Sequence, residues 1–141
     1  MTALTVTAAD VRPMKGSITM KALAAEAMTV GMPVYVYGES GGLPTVKKAT
    51  AAAVATSNAI GIVVAGAPEK NGSTTIASGD ALDVCVFGPV SGIAGTAGAF
   101  AWVGDTAGEI VDAVGTKSAP LGHNLTASTF FVRPFQATRS A

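Results

Sequence analysis

Hydrophobic and polar positions alternate most clearly between Ser78 and Val103, and the rest of the chain is organised around that stretch. Leu82, Val84 and Val86 alternate with Asp83, Cys85 and Phe87. This period of two puts one aliphatic row on one face of a strand. Gly79-Asp80 predicts a turn before it. Gly88-Pro89 predicts its end, because proline cannot donate to a ladder. Ala99 to Val103 predicts a second strand, with Phe100 and Trp102 on one side. Gly92, Gly95 and Gly98 predict a corner between the two.

Upstream, Leu4 and Val6 alternate with Thr5 and Thr7, which suits a short strand, before Asp10, Arg12, Pro13 and Gly16 interrupt the pattern. Residues 1–16 therefore read as an extended N-terminal arm. A single β-rich domain over 17–141 follows, closing in a short loose tail from Gln136. Ile18 and Met20 predict a strand. Leu23 to Met28 has helical propensity, cut short by Gly31 and Pro33. Pro33 to Tyr37 predicts a strand rich in β-branched and aromatic residues, Gly38 to Gly42 a loop, and Leu43 to Lys47 its hairpin partner. Ala49 to Ala55 is alanine-rich and predicts a turn or two of helix. Ala59 to Ala65 is apolar on both faces, the mark of a central strand. Asn71-Gly72 is a favoured hairpin turn, with Thr74 to Ile76 a short strand after it. Gly104 to Gly108 predicts a turn, Glu109 to Val111 a strand, and Lys117 to Gly122 with Ser128 to Arg133 a closing pair joined through Asn124 to Ala127. The sum is an all-β fold: a small barrel or sandwich-like domain of about ten short strands with at most one short helix.

Composition narrows the function classes. In 141 residues, 49% are hydrophobic and only 13% charged, about half the usual charged share. Such a surface suits a protein packed against neighbours. Nine basic residues balance nine acidic ones, so the sequence carries no electrostatic footprint for nucleic acid. No apolar run is long enough for a membrane span, and no signal peptide is legible at the N-terminus. The single cysteine, Cys85, excludes an internal disulfide and fits synthesis in a reducing cytoplasm.

Candidate chemistry is sparse. His123, the only histidine, falls at a predicted turn, where a surface role outweighs a catalytic one. Cys85 lies mid-strand and reads as a small hydrophobe. Asp80 and Asp105 fall where turns want a side chain that bonds its own backbone, and Asp83 on the polar face of a strand. Glu109 and Asp112 read as surface acids. The glycines at 92, 95 and 98 lack phosphate-loop spacing and precede a strand, not a helix. Asn71-Gly72-Ser73 and Asn124-Leu125-Thr126 match the glycosylation triplet, which means little without a secretory context. Tyr35, Tyr37 and Trp102 could form a sugar platform, though core or interface is the commoner fate. No catalytic, cofactor or metal site is expected.

Several stretches in order carry a resemblance. Val30-Gly31-Met32-Pro33-Val34-Tyr35-Val36 precedes Ala59-Ile60-Gly61-Ile62-Val63-Val64, then Gly79-Asp80 through Val86-Phe87-Gly88-Pro89-Val90-Ser91-Gly92. Gly98 through Ile110 follows, and Leu121-Gly122 with Thr129-Phe130-Phe131-Val132-Arg133-Pro134 closes the set. The succession, from about Val30 to Pro134, resembles the capsid decoration (cement) proteins of tailed bacteriophages and prophages. The resemblance implies a non-enzymatic protein on the capsid exterior, made in the host bacterial cytoplasm. It would bind the major capsid protein, bridge neighbouring subunits and form a homotrimer on the shell, without nucleic acid or membrane. Leu4, Thr5, Val6, Thr7, Arg12 and Pro13 are then the candidate contact arm, leaving the body at a hinge near Arg12-Pro13 and Gly16. The competing reading of the arm is a first strand of its own domain. The competing readings of the whole are a carbohydrate- or receptor-binding module of a phage head fibre or tail, and a small β-barrel enzyme.

Overall fold

A computed structural model describes residues 2–66 and 74–134. It is all-β. Among the described residues there are fourteen strands and one three-residue 3-10 turn, at Ala8–Asp10. The strands are β1 (Thr5–Val6), β2 (Arg12–Pro13), β3 (Ile18–Ala24), β4 (Met28–Thr29), β5 (Pro33–Ser40), β6 (Leu43–Lys48) and β7 (Ala59–Ala65). They continue as β8 (Thr75–Ile76), β9 (Ala81–Ser91), β10 (Ile93–Ala94), β11 (Phe100–Val103), β12 (Ile110–Val111), β13 (Pro120–Asn124) and β14 (Thr129–Val132). The count exceeds the expected ten or so because β2, β4 and β10 are two-residue pairings that leave no period in the sequence.

β9 is the hub. It pairs with β3 and β7 along its first half, and with β14 and β2 along its second. From β9 the ladder runs through β3, β6, β5 and β7 and returns to β9, so five strands pair in a ring. Four of these pairings are antiparallel and one, β3 with β6, is parallel. The second half of β9 carries a sheet extension in the order β14, β13, β11, β12. Ring and extension share one core, whose fully buried side chains include Phe130, Ile62, Leu82, Ile93, Ile110, Leu121 and Val11.

Gly88-Pro89 was expected to end the central strand; instead β9 runs on to Ser91. In a strand the N–H and C=O of one residue point the same way. The Pro89 carbonyl accepts from the Met14 N–H, so its missing donor faces the Met14 carbonyl, which accepts from Ser17 instead. No ladder bond is lost. Gly88 has φ +118, and a Cβ there would lie 2.5 Å from the Ser17 Cα, so the strand bends and changes partner where only glycine fits.

Two helical expectations fail. Leu23 lies in β3, and the chain from Ala25 leads into β4 without a helix. The alanine-rich run from Ala49 is a series of turns. Its small residues serve close packing: Ala49 and Ala51 are fully buried, and their amides donate to the Pro33 and Gly104 carbonyls. The loop expected at Gly38 is also displaced, because β5 continues to Ser40 and the turn falls at Gly41 and Gly42, with φ +60 and +86.

The N-terminal arm does not leave the body over its described residues. Ala3 bridges Val111, β1 pairs with β10, and β2 pairs with the end of β9. Backbone bonds from Leu4 to Ile110 and from Thr7 to Gly92 complete the seam. Val11, 2% exposed, sits in the core. The physical reason is that a lone strand needs an edge to pair with, and this chain supplies its own edges at β10, β12 and β9. The Asn71-Gly72 turn and the tail from Gln136 lie outside the described residues.

Candidate interaction surface

The residues first suspected of chemistry take structural places. Cys85 is fully buried, and its S–H points to the carbonyls of Phe87 and Gly88 at 3.6 and 4.0 Å. Burial pushes its thiol pKa up, against the smaller lowering effect of its backbone bonds. Asp105 accepts from the Thr116 N–H and hydroxyl, each at 2.8 Å. Those bonds hold its carboxyl below the usual value. Asp80 accepts from the Ala77 N–H at its turn, and Asp83 pairs with Lys21 at 2.9 Å. No group of three or more His, Cys, Asp or Glu gathers among the described residues. No helix there is long and apolar enough to cross a membrane.

The suspected sugar platform is not assembled. Trp102 lies on β11 beside Val111, whereas Tyr35 and Tyr37 lie on β5, near the other end of the strand order. A bulge follows Val36, and Tyr37 is 60% exposed with the Lys47 ammonium 3.8 Å from its ring centre. Of the arm residues, Leu4 and Val6 are half-buried and line an apolar cavity of about 220 Å³ together with Val30, Met32 and Ile110. Thr5, Thr7, Arg12 and Pro13 are exposed.

What the fold does assemble is a row of rings across the sheet extension. Register places Phe100 opposite His123, His123 opposite Phe131, and Phe131 opposite Pro89. On the far side of β9, Phe87 stands opposite Ile18. The row crosses five neighbouring strands, which at sheet spacing is about 19 Å. The rings touch in sequence. Phe100 meets His123 edge-on at 5.8 Å, His123 stacks on Phe131 at 5.7 Å, and Phe87 meets Phe131 edge-on at 5.1 Å. Each such contact contributes about 0.5–1.5 kcal/mol beyond its area.

This row faces outward. Phe100 is 52% exposed, Phe87 44% and Ile18 58%. Met14, 41% exposed, extends it through its N–H bond to the Pro89 carbonyl. Cross-strand pairing fixes the backbones of Phe100, His123, Phe131 and Phe87, so docking orders their side chains only. His123 belongs to the row and not to a turn; it sits within β13, and its buried Nδ1 has no hydrogen-bond partner. Its part is that of a flat ring between two others.

Sequence reasoning missed this site. Phe100 was placed on the same side of its strand as Trp102, with no outward face assigned, and its neighbours in the row come from positions 18, 87, 123 and 131, which only register brings together. The readable signal was parity: Phe131 alternates with buried Phe130 and Val132 on β14, so one of the paired phenylalanines had to point out. No model of a known protein family matches the chain, and no curated protein matches it either.

Proposed function

We propose that this is a structural binding protein that decorates the outside of a phage capsid, bridges neighbouring major capsid protein subunits, and catalyses no reaction. The carrying observation is the exposed row of Phe100, His123, Phe131 and Phe87 on a rigid sheet. Contiguous apolar surface of this kind marks interaction sites, and aromatic side chains dominate interface energetics. The resemblance of the ordered sequence stretches to cement proteins supports the same reading. So does the 13% charged share, which leaves apolar area to be covered by neighbours.

The mechanism is additive. A row about 19 Å long and one side chain wide covers only part of the about 800 Å² that a standard interface takes from each partner, so one contact alone is weak. Repetition over a shell, and a homotrimer that presents several rows at once, raise the effective affinity. Co-sedimentation with undecorated capsids tests this. The double variant Phe87→Ser/Phe100→Ser should keep the circular dichroism and melting point of the parent yet bind shells at least about tenfold more weakly. Binding equal to the parent overturns the assignment of the row. Failure of the parent to bind any shell, with capture on a glycan array instead, overturns the decoration reading in favour of receptor binding.

A further inference from the structure

The charges around the row are mostly positive. Arg133 follows Phe131 by two residues and continues its ladder, with its N–H donating to the Leu121 carbonyl, so its side chain leaves the same face. Arg12 stands opposite Ser91, two residues beyond Pro89 on the same face. Lys15 follows Met14 in the turn that leads to Ile18 at the end of the row. All three are exposed, and none has a carboxylate partner among the described residues, where the Lys21–Asp83 bridge is the one ion pair. That bridge is neutral as a unit. One exposed acid, Asp10, stands at the Arg12 end, where its backbone carbonyl accepts from the Ser91 hydroxyl, so three cations face one carboxylate. The row is therefore an apolar strip with a net positive rim on a chain of zero net charge.

The geometry points to one kind of occupant: an apolar segment of another protein that carries carboxylates along its flank. This rests on the reading of the row as the binding face, and it names the partner's chemistry. Charge complementarity at a rim selects partners and register more than it adds affinity. Buried rings supply the apolar contact, while Arg12, Lys15 and Arg133 reject segments flanked by lysine. A single nucleic-acid strand would also meet rings and cations. It fits less well, because His123 and Phe131 are half-buried and stack on each other, which leaves each less open face for a base.

The test uses the full chain and defined probes. One is a synthetic peptide of about twelve residues alternating leucine with glutamate, long enough to span the row. The others are its glutamate-to-lysine counterpart and an oligothymidylate. The readout is the NMR signals of the His123 ring, at the centre of the row. The acidic peptide should shift them and bind at least about tenfold more tightly than the lysine peptide. Arg12→Gln/Lys15→Gln/Arg133→Gln, with an unchanged melting point, should bring the two peptides within about twofold, and Phe87→Ser should weaken both. Equal binding of the lysine peptide, preference retained in the triple variant, tighter binding of oligothymidylate, or self-association of the free chain through these signals overturns the inference. Capsid binding is measured separately, so a chain that ignores shells but prefers the acidic peptide refutes decoration while upholding the rim.

Discussion

Cys85 and Asp105 show how single residues here are tuned for position. The Cys85 thiol is held neutral by burial, its pKa raised above 9.0. An acid whose folded pKa is raised binds its proton more tightly in the native state, so stability falls as pH climbs above about 9 toward the folded value. Thiol reagents at neutral pH should leave the native protein unlabelled and modify it fully in denaturant; rapid native labelling would contradict the burial. Asp105 carries the opposite sign. Its pKa is lowered from 3.8 by the two bonds from Thr116, so what it contributes is present above that pH and is lost as pH falls through the folded value. The Thr116 amide resonance should titrate with a midpoint below 3.8, and Asp105→Asn should abolish that titration. Gly61 has no room for a side chain. A Cβ there would collide with the Cys85 carbonyl oxygen, where β7 crosses β9. Gly61→Ala should cost about 3 kcal/mol or more in a denaturant melt.

At the scale of elements, the N-terminal segment makes the sharpest claim. Its seam to β10, β12 and β9, and the burial of Val11, make it part of the fold. Burying one valine contributes about 1.5–3 kcal/mol, and the edges it covers add to that. Deletion of residues 2–12 should therefore lower the melting temperature markedly; an unchanged melt would mean that the segment is dispensable to the body. Elements with a clear pattern were legible: β7 stands where its doubly apolar run put it, β6 where a hairpin partner was expected, and β5 starts at Pro33 as expected but runs three residues past Tyr37. The pieces that were not legible are those whose logic is tertiary. Pro89 reads as a stop until one sees that Ser17 takes the carbonyl it cannot serve. The alanines at 49 and 51 read as helix until their burial shows that space, not propensity, selects them. His123 reads as a turn residue because Gly122 and Asn124 flank it, although β13 carries all three.

At the scale of the whole molecule, the pairings join distant parts of the chain. β1 meets β10, β2 meets β9, and Ala3 meets Val111. The β3–β6 pairing is parallel, and such contacts form only after long loops close. Chains dominated by non-local pairing fold in roughly milliseconds to seconds. Stopped-flow refolding should fall in that range and give one transition for the ring and the extension, because they share β9 and one core. Microsecond folding, or two separated melts, would show that the halves are independent. The row of rings lies on the extension and at its junction with β3, so the stability of that junction fixes the precision of the binding face.

Asn124 gives this architecture a built-in reporter. It opens an Asn-Leu-Thr triplet, yet it is 1% exposed, and its side-chain amide donates to the carbonyls of Ile93, Thr126 and Thr129. An enzyme that attaches a sugar must reach that nitrogen, and in the folded chain it is enclosed. Routed through a eukaryotic secretory pathway with Asn71→Gln to remove the other triplet, the chain would acquire a glycan only on molecules caught before β13 and β14 closed. The glycosylated fraction on a gel would then time folding inside a living cell.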